Sequence, residues 1–193
     1  MECDAGAGGV SMKATAIRIS LAVLGAAIST VRAMDGAQKQ HLVEEIYRLQ
    51  PNMLGSFLVQ KQTGVSYEKM EFLLDILLIC FEAMKQSQLP WPLISEDEQN
   101  RQLTRYVATV KFGEDLSDAL QTRLMQQYID SHPEQYLLAF VNTEIAAWLQ
   151  RGVPEESDKN VMLAAANLVN CIAFVPMAKA TANNAPVKKN KAR

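Results

Sequence analysis

The sequence predicts an all-α fold: a single compact bundle of six or seven helices around one central apolar helix at about 67–86. Three observations predict it. Apolar residues recur at spacings of three and four through most of 37–178, whereas no stretch of any length alternates apolar and polar residues as a half-buried strand would. The 193 residues include only 9 glycines and 7 prolines, few for a chain built on many tight turns. Apolar residues make up 49% and charged residues 21%, a globular composition at a length that fills one core.

The first 33 residues admit three readings. Met1–Val10 is rich in Gly and Ala and has no period; then Lys13 and Arg18 precede the uncharged run Ile19–Ile28, and Val31-Arg32-Ala33 spaces small residues as a signal peptidase accepts. This segment reads as a signal peptide cleaved after Ala33, as an extension ahead of a start at Met34, or as a first helix presenting Ile17, Leu21, Leu24 and Ile28. On the first two readings a chain beginning at Met34 keeps its fold. The expected organisation is therefore 1–33 as that segment, 34–178 as the globular domain, and 179–193 as a basic, disordered tail. The expected compartment is the cytoplasm, with export after cleavage at Ala33 as the alternative.

Within the domain, 37–50 reads as a helix with Leu42, Ile46 and Leu49 on one face, ended by Pro51. Asn52 is a candidate cap for a short helix over 53–62, and Ser66 a candidate cap for the longest helix, to about Gln86. That helix is apolar round most of its circumference, which marks it as central. Its four acids, Glu68, Glu71, Asp75 and Glu82, fall within about 60° of one another at ~100° per residue. Leu89-Pro90-Trp91-Pro92 leaves the helix and is pinned by the indole, and Ser95-x-x-Glu98 has the form of a capping box. Further helices follow to Gly113, over 116–130 with Leu116, Leu120, Leu124 and Tyr128, over 133–151 capped by Ser131, and over about 159–178. Leu137, Val141, Ile145, Trp148 and Leu149 make the buried face of 133–151, where Glu144 is expected to pair with a neighbouring helix. Asn167 and Asn170 argue for a packed last helix rather than a membrane span.

Charge is uneven. Residues 35–158 hold 19 acids and 10 bases, net −9, whereas Lys188, Lys189, Lys191 and Arg193 crowd the end. An acidic middle disfavours a phosphate backbone as main partner and suits a basic protein. Three scattered cysteines exclude a disulfide scaffold, and Cys80 and Cys171 sit among apolar residues as inert small hydrophobes. Only His41 and His132 are present, in neither of the spacings that build a metal site on a helix, so no metal is expected. No phosphate loop, nucleophile elbow or dinucleotide fingerprint occurs, so no cofactor is expected either.

Residues 59–73 resemble the helix-turn-helix of DNA-binding regulators in their Gly64-Val65-Ser66 turn followed by Met70 and Leu73. The resemblance departs at Gln60, where that motif has a small residue. The would-be reading helix offers Glu68, Glu71 and Asp75 against Lys69 alone, which repels phosphates. The expected function is a non-catalytic, protein-binding helical module whose acidic surface, with Glu68, Glu71, Asp75 and Glu82 as the partner-binding residues, inhibits or neutralises a basic protein. The alternatives are a transcriptional regulator using 53–73 and an enzyme with a carboxylate site.

Overall fold

The computed structural model describes residues 17–177, apart from 115 and 152. The described residues form eight α-helices and no strand: α1 Leu21–Ala33, α2 Gly36–Leu49, α3 Pro51–Leu58, α4 Tyr67–Gln86, α5 Glu96–Glu114, α6 Asp118–Ser131, α7 Gln135–Leu149 and α8 Asp158–Phe174. A short 3-10 helix, Val59–Thr63, joins α3 to the turn before α4. The fold class is the expected one. The count is eight rather than six or seven because residues 21–33 fold as a helix of their own.

α4 is the axis of the bundle, with α1, α2, α3 and α8 packed around it. Gly64 turns the chain at φ +87°, a conformation that favours glycine, and the buried Val65 anchors that turn. The Ser66 hydroxyl then accepts from Lys69 N and caps the helix. Leu73 and every residue of Ile76–Met84 are buried, which a helix achieves only when other helices cover it on most sides.

α1 packs extensively along α4. Ser20 caps it, and Leu24, Ala27 and Val31 are buried with Ile28 half-buried. The buried face therefore begins one turn later than the sequence period implied: Ile17 is 39% and Leu21 62% exposed. With this packing, removal of residues 1–33 uncovers α4, which sets the structure against the expectation that a chain beginning at Met34 keeps its fold. Residues 1–16 and the basic segment Lys188–Arg193 lie outside the described residues.

Several helix ends differ from expectation. Asp35 and Gln38 form a reciprocal capping box that starts α2. Pro51 opens α3 at its first turn, where a missing N–H costs nothing, and Asn52 does not cap but donates to Ile94 O at 3.0 Å. Ser131 ends α6 instead of capping α7, because its hydroxyl turns back to Gln127 O at 2.7 Å. Ser95 accepts from Glu98 N, but the Glu98 carboxylate turns to Gln102 and Arg101 rather than back to Ser95. Trp91 does pin its loop, donating to Met84 O and Ser87 Oγ at 2.9 Å.

A buried polar clasp joins three distant parts of the chain. Glu134, at 0% exposure between α6 and α7, accepts from Arg18 N, Arg18 Nε and Ile19 N at 3.1–3.2 Å. The same guanidinium donates to the carbonyls of Ile172, Ala173 and Val175, the orphan acceptors at the end of α8. Glu134 N donates to His132 Nδ1, so the ring proton sits on Nε2 and is given to Asn170 Oδ1 at 3.1 Å, which also accepts from Tyr128. Burial lowers the His132 pKa, against the pull of the Asn170 hydrogen bond. Burial raises the Glu134 carboxyl pKa, against the pull of Ile19 N and Arg18.

Candidate functional site

The acids of α4 part company in the fold. Glu68, Glu71 and Asp75 are exposed, whereas Glu82 is only 8% exposed. Glu82 accepts from Gln86 at 2.9 Å, and Gln86 also reaches Thr30 of α1. The single stripe that helical period predicts is thus interrupted by α1. Glu82, expected with the other three as a partner-binding residue, is instead buried and engaged within its own helix by Gln86 and by Lys85 at 3.4 Å.

The other three acids line an open groove of about 570 Å3 between the first half of α4, the end of α7 and the start of α8. Its lining holds five carboxylates, the other two being Glu155 and Asp158, against Lys69 and Arg151. Phe72 and Trp148 stack in its wall with centroids 4.9 Å apart and rings 8° from parallel, and both are half-buried.

Lys69 is held within this ring of acids. Its ammonium lies 2.6 Å from Glu155 and 2.6 Å from Asp158, and donates to Ser157 Oγ at 2.7 Å. Burial pulls its pKa down, but the hydrogen bonds and charges of Asp158 and Glu155 outweigh that and leave it raised. Asp158 is buried, which by itself favours the neutral acid; the bond from Glu155 N at 2.8 Å and the Lys69 charge reverse this and hold its pKa below the usual range. The Lys69 charge is therefore matched by these two carboxylates. Asp75 pairs with Lys39 at 2.7 Å, and Glu68 and Glu71 stand on the rim in water.

The remaining candidates are structural. Glu144 pairs with Arg32 of α1 at 2.8 Å, the interhelical partner expected for it. Cys80 and Cys171 are free and buried; burial pushes both thiols up, Cys171 to about 12, where Glu98 adds to the effect. His41 lies on the surface, 3.4 Å from Glu44. Among the described residues no group of three or more His, Cys, Asp or Glu is arranged to hold a metal ion. None of the described helices is long and apolar enough to cross a membrane.

The helix-turn-helix resemblance finds its turn at Gly64 but not its exposed reading helix. α4 is buried over Ile76–Met84, and its free first turns carry Glu68 and Glu71. Sequence reasoning missed Trp148 and Asp158 as groove residues. Helical period placed Trp148 on a buried face, and nothing local connects either residue with Glu68. No protein family, no curated protein and no solved structure matches the chain.

Proposed function

We propose that this protein is a non-catalytic helical module that binds a basic segment of another protein in the α4/α7/α8 groove, and so inhibits or neutralises that protein. The observation that carries the reading is the pairing of an aromatic stack with an excess of carboxylates on one open groove. A Lys or Arg side chain laid along the Phe72–Trp148 edge gains a cation–π contact and finds Glu68 and Glu71 within reach. Lys69 adopts such a pose inside the chain, its ammonium 5.9 Å from the Trp148 ring centre. We propose a cytoplasmic setting for the module, a reading supported by two buried free thiols, Cys80 and Cys171, which suit a reducing compartment.

The test is titration of the full chain with a labelled short peptide rich in Arg and Lys, at low and physiological salt. Binding should weaken as salt rises, and Glu68→Lys with Glu71→Lys should lower affinity by about tenfold or more, because charge at a rim sets encounter and orientation. Both side chains are exposed, so the melting curve should hold. Unchanged peptide affinity in the double variant would defeat the proposal. The same variant should raise non-specific affinity for duplex DNA. A sequence-specific footprint by the unaltered chain, lost in Lys69→Ala, would favour a DNA reader at 53–73 instead.

A further inference from the structure

A second concavity lies on another side of the molecule, between α3 with its 3-10 extension, α5 and α8, and its chemistry is opposite to that of the groove. It encloses about 250 Å3, just below the ~300–1,000 Å3 usual for ligand sites, and no Asp, Glu, Lys, Arg or His lines it. Met53, Leu103, Leu163 and Leu168 give it an apolar body, and the Cys171 thiol stays neutral with its pKa near 12. The buried carboxylate closest in sequence, Glu98, is not part of the wall; Arg101 and Gln102 each engage it at 2.6 Å.

The polar groups of the wall are carboxamides, apart from the Ser56 hydroxyl, which donates to Met53 O at 2.8 Å. Gln60 and Asn160 use their nitrogens within the chain, on Ser56 O and Thr63 Oγ1, so their oxygens are the edges left to receive a donor, whereas Asn167 donates to Gln99 O and accepts from the Cys171 thiol at 3.9 Å. Gln99 is different. It is 7% exposed, and its Nε2 is buried without a hydrogen-bond partner. A buried amide left unmatched costs about 1–3 kcal/mol, and native chains keep few of them. The terminal torsion of Gln is soft, so either edge of this amide turns to meet a guest at small cost.

We infer that this cavity is a binding site for a small uncharged molecule that carries a carboxamide or lactam on an apolar body. The amide of the guest accepts from Gln99 and donates to a wall oxygen, and its apolar part displaces water from the four aliphatic side chains. A charged guest is excluded, because it would lose its hydration to a wall with no counter-charge. The site is independent of the acidic groove, and the failure of one leaves the other standing.

Benzamide and benzoate make the test, being of one shape but different charge. Amide NMR of the full chain should show saturable shifts at Gln99, Leu103 and Asn167 with benzamide below about 10 mM, and none with benzoate. Gln99→Leu removes an amide that has no protein partner for its nitrogen, so the fold should hold while benzamide affinity falls about tenfold. Gln99→Met repeats the measurement with a more adaptable side chain. Ala164→Phe, which fills the cavity from α8, should abolish the shifts. Absence of saturable shifts, equal binding of benzoate, or full affinity in both Gln99 variants would overturn the inference. So would a rise in thermal midpoint in Gln99→Leu without benzamide binding by the unaltered chain, which would make the cavity a hydrated packing gap.

Discussion

α1 and α6 are nearly equal in length, 13 and 14 residues, yet they hold opposite places in the bundle. α1 buries Leu24, Ala27 and Val31 against α4. α6 buries none of its side chains fully; Leu120 is 52% exposed, and Leu124 and Tyr128 are half-buried. Their sequences rank them the other way, since α6 has a regular four-residue apolar repeat and α1 reads equally as a targeting segment. The contrast teaches that periodicity measures how well a helix can form a face, whereas burial depends on whether another face is there to receive it. α6 serves the fold mainly through its exit, where His132 and Glu134 clasp the segment leading into α1 and the end of α8.

The largest effect should come from removing residues 1–33. Burial of Leu24 and Val31 is worth about 1.5–3 kcal/mol each, and the deletion also takes Arg18 from the buried Glu134, a loss of order 3–5 kcal/mol. The total rivals the ~5–15 kcal/mol stability of a typical domain. The truncated chain should lose its cooperative melt by circular dichroism and bind a hydrophobic dye. A sharp transition near that of the full chain would erase the difference between α1 and α6.

Next in size is Glu134→Ala, which leaves Arg18 and the Arg18 and Ile19 amides without their acceptor and should cost about 3–5 kcal/mol in denaturant unfolding. A loss below about 1 kcal/mol would show that the clasp does not fasten α1.

His132 sharpens the same point through pH. Its folded pKa is lowered, so the unfolded chain binds the proton more readily, and stability should fall as pH drops through about 6.5 toward the folded value. Glu134, whose carboxyl is raised, acts in the opposite sense, so the His132 contribution is read as a difference. In His132→Gln the fall below about pH 6.5 should be shallower in denaturant unfolding than in the unaltered chain. Identical slopes would place the pH dependence elsewhere.

The smallest effect belongs to α6 itself. Leu120→Lys should change stability by no more than about 0.5 kcal/mol, as exposed substitutions do. The same exchange at Leu24 should cost several kcal/mol. Comparable losses at the two positions would contradict the structure's division of labour.

The features legible along the chain are local. Spacing of apolar residues marked the helices and the central place of 67–86, because a helix's own period sets which side chains share a face. The same arithmetic grouped Glu68, Glu71 and Asp75, and the Gly64-Val65-Ser66 turn was legible because glycine and a capping hydroxyl act within a few residues. The remaining features arise from contacts between helices. Packing buried Glu82, brought Trp148, Glu155 and Asp158 to the acids of α4, and left the Gln99 amide unmatched beside a neutral cavity. These outcomes depend on which face meets which across tens of residues, and the free energy of such a meeting resides in the area and the hydrogen bonds of two elements together, which no window along one of them contains.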